Sequence, residues 1–128
     1  MQSVAEPARM NEAFARAFNG RRLEDLLALY EDGAVLCADA SGRSHRGKEA
    51  IAQALAELLA APGTMTSVNN FCLQQGDVAL LRADWTLHAA GGAVLAQGSS
   101  AEVVRRQPDG RWLYVLDHAA GAVLPRVA

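Results

Sequence analysis

Four residues carry most of the chemistry that this chain could perform: Asp39, Arg82, Asp84 and Asp117. Arg82 and Asp84 are two positions apart, and in a strand that spacing puts both side chains on one face. Thr86 and His88 share the face, while Leu81, Ala83, Trp85 and Leu87 make the opposite one. A guanidinium between two carboxyl groups holds their pKa values apart, so that one takes a proton while the other gives one. The alternative for Arg82 and Asp84 is a solvated polar face whose ion pair contributes little. Asp117 closes the run Trp112-Leu113-Tyr114-Val115-Leu116, and strict alternation puts it on the face of Leu113 and Val115. A carboxylate continuing an apolar stripe lies either at the exposed end of a sheet or inside a pocket. Inside a pocket, Arg82 is its expected charge partner. Asp39 follows the strand-like run 34–38 and precedes Ser41-Gly42. At a pocket rim it could relay a proton if burial raised its pKa; in a turn it would bond its own backbone instead.

These residues need a scaffold, and its elements are readable from periodicity. Met10, Ala13, Phe14, Ala17 and Phe18 form one helical stripe, with Pro7 suited to the first turn and Asn19-Gly20 to the end. Leu23, Leu26, Leu27 and Tyr30 mark a second, shorter helix. Ile51, Ala54, Leu55, Leu58 and Leu59 mark a third, opened by Gly47 and closed by Pro62-Gly63. A short strand at 34–38 and a brief return at 44–46 lie between the second and third helices. Four strands follow, at 64–75, 78–90, 94–107 and 111–118, separated by Gly76-Asp77, Gly91-Gly92 and Pro108-Asp109-Gly110. Tight turns between consecutive strands predict an antiparallel meander. Helices first and strands afterwards predict an α+β fold: a curved antiparallel sheet on three helices, with one pocket at their junction. The last strand is apolar on both faces, so its outer face needs a cover, and a homodimer is the expected one.

Composition narrows the function classes. The 128 residues fit one domain spanning 1–128, with 51% hydrophobic and 20% charged residues and a net charge of −2. No basic patch matches a row of phosphates, and no apolar run matches a membrane span, so neither nucleic acid nor membrane is an expected partner. The absence of a leader-like N-terminus predicts a cytoplasmic location. Cys37 and Cys72 are expected to be buried free thiols. The three histidines have no metal-ligand spacing, and Gly91-Gly92 opens no helix, so neither metal nor cofactor is expected. Trp85 and Trp112 are expected in packing.

Three segments carry a family resemblance: Leu29-Tyr30-Glu31-Asp32-Gly33-Ala34-Val35-Leu36, Arg46-Gly47-Lys48-Glu49-Ala50-Ile51, and Arg105-Arg106-Gln107-Pro108-Asp109-Gly110-Arg111-Trp112. In order and spacing the chain resembles the nuclear transport factor 2-like superfamily, and within it the SnoaL-like small proteins. The resemblance implies a cone-shaped sheet with one pocket for a small apolar molecule. It covers isomerases, cyclases, epoxide hydrolases and non-catalytic binders alike. The ketosteroid isomerase branch would place its base at Asp39, but its two oxyanion donors fall on Phe14 and Ser99. The limonene epoxide hydrolase branch would place an Asp–Arg–Asp arrangement on Arg82, Asp84 and Asp117. Its water-orienting Tyr and Asn fall on Cys37 and Asp39. The resemblance therefore implies either a cofactor-independent acid–base enzyme or a dimeric ligand-binding module.

Overall fold

Pro7 fixes φ where the first helix begins. In the computed structural model, which describes residues 3–123, Pro7–Arg9 form a 3-10 turn running into helix α1, Met10–Asn19. Met10, Ala13, Ala17 and Phe18 are buried as the stripe requires, and Phe14 packs beside them. The end of α1 differs from expectation. Gly20 remains helical at φ −74°, and Arg21 takes the left-handed conformation at φ 60°. The reason is the Arg21 side chain. Its guanidinium lies 4.4 Å over the Phe18 ring and donates to the carbonyls of Leu59 (3.0 Å), Ala61 (2.6 Å) and Gly63. One cation thus caps the far end of another helix, where unpaired carbonyls gather. Arg21→Ala is expected to cost about 1–2 kcal/mol in urea unfolding. An unchanged midpoint would show that water replaces the guanidinium without loss.

Helix α2 spans Leu23–Leu27 and α3 spans Lys48–Leu59. Tyr30, expected on the second helix, instead opens strand β1, Tyr30–Cys37. The remaining strands are β2, His45–Arg46; β3, Thr64–Gln75; β4, Val78–His88; β5, Val94–Arg106; and β6, Trp112–His118. They form one sheet in the order β2-β1-β6-β5-β4-β3. The meander from β3 to β6 is antiparallel throughout, whereas β1 and β6 pair in parallel. The sheet is therefore mixed: parallel neighbours need a long connection, and here most of the chain supplies it. The three helices pack on the inner face around Met10, Phe18, Leu26, Ile51, Leu55, Tyr30, Trp112 and Tyr114, all fully buried. Among the described residues no helix is long and apolar enough to cross a membrane.

Two bulges shift the phase of the strands. In β5–β6, Val104 faces Tyr114 and Val103 faces Leu116, so Val115 is an extra residue. In β3–β4, Asn69 faces Ala83 and Phe71 faces Arg82, so Asn70 is extra. A bulge bends its strand and reverses the alternation beyond it. Across the outer face one cross-strand row reads Leu73, Leu80, Val103, Leu116 and Val35. Leu73, Leu80 and Leu116 in that row are exposed. The cysteines are free, but only partly as expected: Cys37 is half-buried and Cys72 is exposed, because β3 runs on past the helices there.

Candidate functional site

On the inner face one row reads Leu81, Glu102, Asp117 and Leu36 across β4, β5, β6 and β1. Two carboxyl groups thus sit as direct cross-strand neighbours between two leucines. Such neighbours are close enough for like charges to oppose folding. Glu102 is 3% exposed and Asp117 9%. Both line a cavity of about 80 Å³ between α1, α3 and the sheet. Its walls are largely apolar, with Phe14, Leu55, Leu58, Met65 and Trp85 prominent. Among the described residues no Lys, Arg or His lines it.

The bulge at Val115 puts Asp117 here. Strict alternation would leave Asp117 with Leu113 and Val115, facing away from Tyr114. The extra residue turns Leu116 outward and returns Asp117 to the Tyr114 side. Tyr30 Oη then donates to Asp117 Oδ2 at 2.5 Å from its buried place at the start of β1. Tyr114 Oη donates to Asn11 Oδ1 at 2.7 Å. Asn11 Nδ2 donates to Glu102 Oε1 at 3.0 Å and to Asn69 Oδ1 at 2.9 Å. The Tyr114 ring is held by Tyr30 at 5.0 Å and by the Phe14 edge at 6.2 Å. Among the described residues no buried side-chain polar atom lacks a partner.

Electrostatics follow from the missing cation. Burial, and after it the Asp117 charge, push the Glu102 carboxyl up to about 8 against the opposing hydrogen bonds of Ser100 and Asn11. Burial, opposed by the Tyr30 hydroxyl, raises Asp117 to about 6. At neutral pH the pair therefore holds one proton, on the Glu102 side, with Asp117 ionised. Burial also raises Tyr30 and Tyr114, which stay neutral. Two carboxyls with separated affinities make an acid and a base in one apolar space. Among the described residues no group of three or more His, Cys, Asp or Glu side chains is placed to hold a metal ion.

Of the four residues singled out from sequence, Asp117 alone lines this cavity. Arg82 and Asp84 are exposed on the outer face, because the opposite face of β4 buries Leu81, Ala83 and Leu87. The expected Arg82–Asp84–Asp117 cluster does not form. Asp84 instead accepts from Ser99 Oγ (2.6 Å) and Asn70 Nδ2 (2.9 Å), which hold its carboxyl below the usual range. Ser99 is thereby also on the outer face. Asp39 is exposed in the turn after β1 and accepts from the Ser41 N–H at 2.9 Å; Ser41 keeps its carboxyl low. Trp85, expected in packing, forms part of the cavity wall. Its Nε1–H donates to the Ala119 carbonyl at 2.8 Å, and its ring covers Gly98, where a Cβ would fall 2.8 Å away.

Glu102, Asn11 and Tyr30 were not singled out from sequence. A signal existed for Glu102, a lone carboxylate inside the strand run Ser100-Ala101-Glu102-Val103-Val104. It is the same signal that drew attention to Asp117. Nothing local marks Asn11 or Tyr30, whose roles depend on contacts 91 and 87 residues away.

Residues 11–115 match the family model of the SnoaL-like domain. No curated protein matches the chain. Among solved structures, a protein assigned to the calcium/calmodulin-dependent protein kinase type II association domains, from Thiobacillus denitrificans, superposes with a TM-score of 0.79 at 23% identity, over 94% of this chain and 98% of that one. A ketosteroid isomerase-like protein from Erwinia carotovora atroseptica gives 0.69 at 21% identity, over 94% and 98%. An NTF-2 like protein of unknown function from Shewanella oneidensis gives 0.72 at 16% identity, over 88% and 93%. At these identities the likeness concerns the fold.

Proposed function

The chain belongs to the SnoaL-like domain family, and on that premise we propose that its cavity binds a small, largely apolar molecule and moves a proton on it with the Glu102–Asp117 pair. The observation carrying this reading is the pair itself: two buried carboxyls, adjacent across β5 and β6, in a cavity lined by no cation among the described residues. The step suited to it is enolisation of a ketone. Asp117 takes a proton from the carbon beside the carbonyl, and the C–H electron pair becomes the C=C bond of the enol. The carbonyl π pair moves to oxygen, which takes the Glu102 proton. The reverse steps restore both carboxyls. Asp39, Arg82 and Asp84 have no part in this step, since they lie outside the cavity.

The apolar walls also favour a second reading, a binding module without turnover. Proton NMR of cyclohexanone with the protein in heavy water separates the two. Enolisation predicts loss of the α-proton signal faster than in buffer alone. A raised melting temperature with no faster exchange would leave the binding module. Neither effect with any small cyclic ketone would overturn both readings.

The outer face is the proposed contact with a second copy. The row from Leu73 to Val35 presents an apolar band across five strands, which a two-fold partner would cover with the same band. Leu80→Glu is expected to turn a dimer into a monomer in sedimentation velocity. A wild-type protein that sediments as a monomer would refute the contact.

A further inference from the structure

We propose that the molecule this cavity selects is a small amine, held as its ammonium against Asp117 and Glu102 with its apolar body between Phe14 and Trp85. The inference rests on reading the cavity as a ligand site, and it does not depend on turnover there. It comes from counting hydrogen-bond donors. Asn11 spends its amide group on Asn69 and Glu102. The Tyr114 proton goes to Asn11, and the Tyr30 proton goes to Asp117. A tyrosine hydroxyl has one proton to give, so both are committed. The Ser100 hydroxyl is shared between the Ala83 carbonyl at 3.4 Å and the Glu102 carboxyl, which leaves Ser67 as the small rotatable group. Apart from the Glu102 proton, what faces the cavity is acceptor capacity. Asp117 Oδ2 takes the Tyr30 proton, and the Asp117 carboxylate lines the cavity although the residue is nine-tenths buried.

A ligand suited to this surface brings donors and positive charge. An ammonium supplies three N–H groups and the countercharge that no lining residue provides. Aromatic walls attract the same charge, and Phe14, Trp85 and Tyr114 all line the cavity. A carboxylate ligand would meet two acidic groups and no cation. A neutral alcohol would satisfy one acceptor but leave the carboxylate uncompensated.

Three probes with one shared body test this: benzylamine, benzyl alcohol and benzoate, titrated calorimetrically into the protein. Benzylamine is expected to bind at least about 10-fold tighter than benzyl alcohol, a difference of about 1.4 kcal/mol, with benzoate binding weakest. Benzylamine affinity is expected to rise as the pair ionises, from about pH 5.5 to about pH 8, while benzyl alcohol affinity stays flat. Asp117→Asn should remove the preference for the amine over the alcohol. Glu102→Gln serves as a second variant and should reduce the preference. Equal or tighter binding of the alcohol or of benzoate would overturn the proposal. So would no benzylamine binding, or an amine preference that survives both substitutions. Ketone exchange without benzylamine binding would remove the amine and leave the proton-transfer reading intact.

Discussion

Exchange of α-protons on cyclohexanone is expected to fall at least about 100-fold in Asp117→Asn, the lower range of what a positioned general base contributes. The substitution keeps the shape of the group. An Asn Oδ1 can still accept from Tyr30, so the loss would reflect the base and not a collapsed wall. The pH profile carries a second signature. Exchange needs Asp117 ionised and Glu102 protonated, so kcat/KM should be bell-shaped with limbs near about 6 and about 8. Those limbs belong to the pair as a unit. Glu102→Gln should abolish the alkaline limb at a smaller cost in rate, because an amide can still donate to the carbonyl oxygen. Stability is linked to the same groups. Both carboxyls are raised above their unfolded values, so the folded state retains protons that the unfolded chain releases. The pair's contribution to stability is then greatest in acid, falls as pH rises from about 4, and levels above the higher folded pKa of about 8. Each unit by which a folded pKa exceeds its unfolded value corresponds to about 1.4 kcal/mol. Glu102→Gln should flatten the decline, read as urea midpoints in mild acid and mild alkali. A wild-type protein that gains stability over this range would contradict an unpaired buried carboxyl pair.

Gly63→Ala is expected to be the most damaging single methyl addition in the fold, at about 3 kcal/mol or more. Gly63 has φ +108°, a conformation that side chains rarely adopt. An added Cβ would lie 2.6 Å from the His88 carbonyl oxygen, 3.1 Å from Leu95 and 3.2 Å from Leu87. The first of these is backbone in the β3–β4 ladder and cannot rotate away. The Gly63 carbonyl also accepts from Arg21, so a shift there would loosen the cap on α3. Gly76 has φ +57° but open space around it. Gly76→Ala should therefore cost clearly less, and equal losses at the two sites would assign the effect to φ alone.

The fold was legible because its signals are local and repeated. The α1 stripe, the α3 stripe and three turn-bounded strands each fix their own element, and their order fixes the class. The parallel pairing of β1 with β6 carries no such mark, since nothing in either segment names its neighbour. The site was legible only in part. Asp117 stood out as a carboxylate in an apolar strand, and Glu102 carried the same mark. The error over Arg82 and Asp84 was one of face. Two-residue spacing showed that they share a side, but the side facing the helices is decided by Leu81, Ala83 and Leu87. Bulges at Asn70 and Val115 add single residues whose phase shifts alternation cannot foresee. Asn11 and Tyr30 entered only through contacts between distant parts of the chain.

The pairing of the first and last long strands also governs how the molecule comes into being. Tyr30 and Asp117 are separated by 87 positions, and β6 lies between β1 and β5. While the chain is being synthesised, each of those strands lacks its β6 neighbour until residues 112–118 have left the ribosome. Two hydrogen-bonding edges stay open for that interval, and open edges recruit other chains. Pairing across so long a separation also slows folding. The proton-handling pair is completed by the same strand that closes this gap, so a chain stalled before it would lack the base as well as the central strand.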